Sequence, residues 1–250
     1  MNNYFFTYPV ANIYSKPSTN SEVCSQILYG EKFNILSKKK NWFKIKTHYD
    51  NYFGYIRKHK IIKNFKPTKK IFKLKSKIYK RKGNKFSPTN NFLYFGSGVL
   101  VKDKIKDYIE FDKNQWIRND HTKNIYHTEK NFIKILKLFL KTKYLWGGRT
   151  SKGIDCSALI QIFYYYNRIF FPRDSKDQIK FCKKKNSKKL SRGNIIFWKG
   201  HVGVCISNTK FIHAYGPKKK VIIMPTNFTV KLIKKTANLN VLKVSHAKKI

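Results

Sequence analysis

The tightest constraint on the fold is a duplication in the first half of the chain. Ile13-Tyr14, Ile27-Leu28-Tyr29 and Ile35-Leu36 recur 65 residues later as Ile78-Tyr79, Phe92-Leu93-Tyr94 and Leu100-Val101, and a glycine closes the middle motif each time, Gly30 and Gly96. Tyr55-Ile56-Arg57 returns as Trp116-Ile117-Arg118 at a slightly shorter separation. Matching order with one small deletion implies two copies of a unit of about sixty residues. Asn34-Ile35-Leu36-Ser37, Trp42–Thr47 and Phe53-Gly54-Tyr55-Ile56 alternate apolar and polar residues between turn formers. That spacing predicts short half-buried strands and a small β-barrel in each copy, over 1–62 and 63–125, the second copy being the less regular.

After Thr128 the period changes. Glu129, Phe132, Ile133, Leu136, Phe139 and Leu140 predict a capped amphipathic helix. A Trp146-Gly147-Gly148 turn and a second helix from Asp155 or Cys156 to Tyr166 follow, then a short helix over 175–183. Ile195–Trp198, His201–Ser207, Phe211–Tyr215 and Val221–Met224 read as strands, with Lys218-Lys219-Lys220 a solvated turn and His246 in a ragged end. Helices first and an antiparallel sheet afterwards predict an α+β domain over 126–250.

Lys+Arg number 55 against 12 Asp+Glu, a formal net charge of +43. The lysines are spread along the chain among Asn, Ile, Phe and Tyr, so compositional drift explains them better than a dedicated nucleic-acid surface, although such a field attracts polyanions. Met1-Asn2-Asn3-Tyr4-Phe5-Phe6 lacks a basic segment leading into an apolar one, and no run approaches the roughly 18 apolar residues of a membrane span. The expectation is a cytoplasmic protein with no membrane span, no metal or other cofactor, and four free cysteines, 24, 156, 182 and 205, in no zinc-binding pattern.

Cys156 is the sharpest chemical feature. It falls at a helix start, where free amide N–H groups and the helix dipole favour a thiolate and could hold an oxyanion. A lone cysteine is more commonly a small buried hydrophobe. A thiolate nucleophile needs a base and a group to orient it. His201 and His213 lie in two strands that should pair as a hairpin. A two-residue turn at Asn208-Thr209 would put them on opposite faces; a three-residue loop would set His213 opposite Cys205, four residues along the strand, and contact would then need a bulge or twist near Gly200 or Gly203.

Tyr144-Leu145-Trp146-Gly147-Gly148-Arg149, Gly153-Ile154-Asp155-Cys156-Ser157, Pro172-Arg173-Asp174-Ser175 with Gln178, Arg192-Gly193 with Ile196-Phe197-Trp198, His201-Val202-Gly203-Val204 and Phe211-Ile212-His213-Ala214 together resemble the NlpC-type cysteine peptidases. The likeness covers about 128–225, and the two repeats resemble the bacterial SH3-like modules of that family's dipeptidyl-peptidase branch. It implies a papain-like domain that hydrolyses γ-D-glutamyl bonds to a diamino acid in peptidoglycan peptides, with Cys156 as nucleophile, His201 as base, His213 orienting it and Tyr144 beside the oxyanion. It further implies that Asp155, Ser157 and Ser175 hold the free amino end of an L-alanine, with Glu31 of the first repeat lining that pocket. Ala158 stands where the family has glycine, and Asn194 where it has aspartate, which puts an ion pair there in doubt. The competing readings are a non-catalytic module that binds cell-wall peptide or nucleic acid, and a thiol acyltransferase or amidase on the same scaffold.

Overall fold

In the computed structural model, which describes residues 3–185 and 189–246, the chain divides into two units that part between Thr128 and Glu129. The first unit is built of strands. β1 (Asn3–Phe6), β2 (Val10–Tyr14), β3 (Val23–Leu28), β4 (Lys32–Lys39), β5 (Trp42–Thr47), β6 (Phe53–Arg57) and β7 (Ile61–Ile62) form one antiparallel sheet in the order β3-β2-β6-β5-β4-β1-β7. Alternation does what the sequence implies: Phe43, Ile45 and Thr47 of β5 point inward, and Phe43 and Ile45 join Phe6, Ile13, Ile27, Phe33 and Ile56 in a core.

The second copy repeats the order. β8 (Lys69–Ile71), β9 (Lys75–Lys82), β10 (Lys85–Tyr94), β11 (Gly98–Val99), β12 (Asp103–Ile105), β13 (Tyr108–Asp112), β14 (Gln115–Arg118) and β15 (Thr122–Asn124) give β10-β9-β14-β13-β12 and β11-β8-β15. The two orders coincide if β11 and β12 are the broken halves of a strand equivalent to β4, and that break is why the second copy reads less regularly. Gly30 and Gly96 both sit at positive φ, +80° and +84°. Their amides make the matching bond, to the carbonyls of Phe6 and Ile71. Glycine is required there because L side chains avoid that region.

The second unit is α+β. α1 (Phe132–Leu138) starts later than the expected Thr128, because the Glu129 backbone is tied to the Asn167 side chain, N–H to Oδ1 at 2.8 Å and carbonyl to Nδ2 at 3.2 Å. A hairpin of β16 (Arg149–Thr150) and β17 (Gly153–Ile154) leads into α2 (Cys156–Tyr166), which is buried on nearly every side. Tyr164 and Tyr166 are accordingly core, while Tyr165 lies under the Arg149 guanidinium. α3 (Ser175–Phe181) precedes a sheet of β18 (Asn194–Trp198), β19 (His201–Cys205), β20 (Lys210–Tyr215), β21 (Lys220–Pro225) and β22 (Lys243–His246), in the order β21-β20-β19-β18-β22.

α4 (Thr226–Ala237) and β22 were not anticipated. His246 therefore ends a paired strand rather than a ragged tail, with Nδ1 2.6 Å from Nδ2 of Asn194. Asn194 Oδ1 accepts from the Lys185 ammonium and the Ser191 amide, so a neutral amide meets the lysine where the family's aspartate would form an ion pair. Among the described residues no helix is long and apolar enough to cross a membrane.

Candidate active site

The site begins at a turn that only glycines allow. Gly147 has φ +73°, and a Cβ on Gly148 would stand 2.4 Å from the Gly153 carbonyl oxygen. This close approach brings the Gly147 amide to Oδ2 of Asp155, at 3.0 Å. Asp155 caps α2 through Oδ1, which accepts from the Ala158 amide at 2.8 Å. Buried Arg173 grips both oxygens, Nη2 on Oδ2 at 2.6 Å and Nη1 on Oδ1 at 3.0 Å, and Nη1 also donates to Ser157 Oγ at 2.9 Å. The Ser157 hydroxyl itself donates to Asp155 Oδ1 at 3.1 Å. Gln178, wholly buried, ties the loop carrying Arg173 to the helix by donating to the Ser157 and Pro172 carbonyls.

An Asp155 carboxylate has about four lone-pair positions, and the Arg173, Gly147, Ala158 and Ser157 donors fill them. These bonds make Asp155 a clamp at the foot of α2, and Ser157 shares the same network. Ser175 opens α3, half-buried, two residues beyond Arg173. Glu31 is buried in the first unit, where its carboxylate accepts from the Leu28 amide and holds a turn. Arg173 and Gln178 belong to motifs visible in the sequence, but their clamping role was not, because the carboxylates nearest Arg173 along the chain are Asp174 and Asp177 and nothing local points to Asp155.

Cys156 follows the cap directly and is 4% exposed. Its sulfur faces the Val202 and Ser157 amides, and Tyr144, Asp155 and Arg173 lie within electrostatic reach. Val202 is the residue after His201, so the start of β19 packs against the start of α2. The hairpin register differs from both alternatives. Val204 pairs with Ile212 and the loop is Ser207-Asn208-Thr209. His213 then falls opposite Gly203, two residues from His201 on the same face, a normal diagonal neighbour. His201 Nε2 lies 3.0 Å from His213 Nδ1. Gly203 makes this contact possible: a Cβ there would meet the Phe211 ring at 2.3 Å and His213 Cβ at 2.9 Å. His213 is fully buried, stacks on Tyr215 at 4.7 Å and directs Nε2 at the Met224 sulfur, 3.4 Å away. Trp198 is packed against His201, whereas Trp146 is 55% exposed.

Burial sets the protonation states. It pushes the Cys156 thiol up to about 12, with the Asp155 charge adding to it and the Val202 and Ser157 amides and Arg173 opposing. Burial pushes His201 down to about 4, and burial with the His201 charge takes His213 to about 3. Burial and the charges of Cys156 and Asp155 hold the Tyr144 phenol protonated. Burial thus opposes the thiolate that the helix start favours, and it favours the neutral form of both imidazoles. Either charge alone is disfavoured here, whereas a thiolate and an imidazolium formed together attract each other. Such a pair suits proton transfer in step with bond formation.

Residues 141–237 match the model of the NlpC/P60 family, and residues 9–61 that of the bacterial SH3 domain. The second unit is an NlpC/P60 domain. The chain is similar to dipeptidyl-peptidase 6 of Lysinibacillus sphaericus, 24% identical over 82% of this chain and 84% of that protein. It is also similar to a gamma-D-glutamyl-L-lysine dipeptidyl-peptidase of Bacillus cereus, 25% identical over 81% and 70%. A probable endopeptidase NlpC homolog of Haemophilus influenzae is 36% identical over 34% of this chain and 49% of its own length. The crystal structure of an NlpC/P60 family protein from Bacillus cereus shares the fold, with a TM-score of 0.76 at 18% identity, over 90% of this chain and 95% of that one. The NlpC/P60 domain is thus a cysteine-peptidase scaffold, with an SH3 domain in the first unit.

Proposed function

We propose that this NlpC/P60 chain is a cysteine peptidase that cleaves the γ-D-glutamyl–diamino acid bond of short peptidoglycan peptides, with Cys156 as nucleophile, His201 as general base and His213 orienting it. The observation that carries the reading is the His201–His213 contact at 3.0 Å in the strand whose Val202 amide touches the Cys156 sulfur. His201 spends Nε2 on His213, which leaves Nδ1 for the thiol. As the sulfur attacks the carbonyl carbon, its proton passes to Nδ1. The amides at the start of α2 and the Tyr144 hydroxyl stabilise the oxyanion. Collapse breaks the C–N bond, and the imidazolium returns the proton to the leaving amine. Water, deprotonated by the same imidazole, then hydrolyses the acyl-enzyme.

The names of two relatives, a dipeptidyl-peptidase and a gamma-D-glutamyl-L-lysine dipeptidyl-peptidase, support a γ-D-glutamyl bond cut to release a dipeptide, and a free L-alanine at the amino end is part of this proposal. With Asp155 and Ser157 engaged internally, Ser175 is the member of the expected set left to meet that end. The shared strand order supports a second SH3-like module at 63–125. Mass spectrometry of L-Ala-γ-D-Glu-diaminopimelate incubated with the protein tests the reaction. Release of L-Ala-γ-D-Glu is expected, and none with Cys156→Ala. Equal turnover of the N-acetylated peptide would remove the free-amine requirement, and intact peptide throughout would remove the peptidase reading.

A further inference from the structure

The His201–His213 contact does not by itself say which ring gives the proton and which accepts it. Two neutral imidazoles can share a hydrogen bond in either direction, and only one direction leaves His201 a base. In the productive direction His201 carries its hydrogen on Nε2 and has a bare Nδ1. In the reverse direction His213 donates from Nδ1 and the His201 hydrogen sits on Nδ1, so the nitrogen left for the thiol has no lone pair to offer.

The far side of His213 breaks the tie. Its Nε2 lies 3.4 Å from the sulfur of Met224, on β21, the strand paired beside β20. A thioether has lone pairs and no proton, so it can only accept. A bare Nε2 there would set lone pair against lone pair, whereas Nε2–H makes an N–H···S bond. Met224 is 8% exposed and His213 fully buried, so no bulk water competes for that nitrogen. The ring cannot easily turn either, being stacked on Tyr215 at an interplanar angle of 13° and edged by Phe211 at 5.1 Å.

We propose that Met224 is a positioning residue for the reaction: by accepting the His213 Nε2 hydrogen it fixes the tautomers of both histidines and leaves His201 Nδ1 as the base. The relay runs Met224 Sδ, His213 Nε2–H, His213 Nδ1, His201 Nε2–H, His201 Nδ1, Cys156. The inference rests on the peptidase reading of the same residues, but the tautomers are measurable without any substrate. It also assigns a task to a residue that sequence patterning would place simply among core apolar side chains.

The experiment is side-chain ¹⁵N–¹H NMR of the histidines at neutral pH in the full chain, compared among wild type, Met224→Leu and Met224→Gln. Leucine is close to methionine in volume, so the fold should survive, which a thermal melt checks. Glutamine restores an acceptor through its side-chain carbonyl. In wild type, His213 and His201 should both show protonated Nε2 and bare Nδ1. Met224→Leu should give a mixture of tautomers and lower kcat/KM about tenfold with KM nearly unchanged, and Met224→Gln should recover both the tautomer and most of the rate. A wild-type His213 protonated on Nδ1 overturns the proposal, as does a Met224→Leu protein with unchanged tautomers and rate. A protein inactive on every peptide sinks the peptidase reading instead, while the spectra still decide the role of Met224.

Discussion

Replacing Asp155 by asparagine separates a clamp from a ligand. The substitution keeps size and shape but removes the charge, and one of the two oxygens becomes an N–H₂ group. If the oxygen stays toward Ala158, the amide nitrogen faces the Gly147 N–H and Arg173 Nη2, which now donate to oxygen at 3.0 and 2.6 Å. Donors then oppose donors, and Arg173, whose side chain is 1% exposed, is left a buried cation without its partner. Breaking a buried ion pair by removing one partner costs about 3–5 kcal/mol. Urea denaturation, reading the transition of the second unit, should show a loss of that size, and kcat should fall as the start of α2 loosens. Were Asp155 a seat for the substrate ammonium, the variant would fold normally and only KM would rise. A loss of stability below about 0.5 kcal/mol, the usual ceiling for a change away from such features, would refute the clamp.

Four further outcomes follow from the packing and burial of the site. Gly203→Ala should destabilise the second unit by about 1–3 kcal/mol, the ordinary cost of overpacking, and should lower kcat sharply as the new methyl drives His213 from His201; circular dichroism melts and kinetics check it. Because the folded histidines are held neutral, with His201 near 4 and His213 near 3, the acid limb of kcat/KM should fall near pH 4 rather than near the ordinary histidine value. The unfolded chain takes up protons first, so the pair contributes stability that is whole above pH about 6.5 and is lost as pH falls toward about 4 and 3, at up to about 1.4 kcal/mol per pH unit per histidine. Unfolding free energies measured from pH 7 to 4 should show that slope. With its thiol pushed up to about 12, Cys156 should alkylate with iodoacetamide at a rate still rising above pH 9, read by peptide mass mapping; a plateau at neutral pH would reveal a standing thiolate.

Residue order alone determined a good deal. Period-two alternation marks Phe43, Ile45 and Thr47 as one face of a strand whatever surrounds them, and the 65-residue recurrence pointed to a repeated unit, while the order of its strands came from the fold. Cys156 at a helix start and the two histidines in neighbouring strands were legible because their motifs are local. Tertiary structure decided the rest. The hairpin register depends on where a three-residue loop begins, a choice settled by packing Phe211 and His213 over the bare Gly203. α4 and β22 follow from burial against β18, β20 and β21 rather than from strong local propensity. The protonation of Cys156 was decided in the same way, since a helix start favours the charged sulfur locally while desolvation, a property of everything packed around it, acts with greater force. Asp155 shows the limit most plainly: a sequence displays a carboxylate next to a nucleophile, and only the folded chain reveals that an arginine 18 residues on has already claimed it.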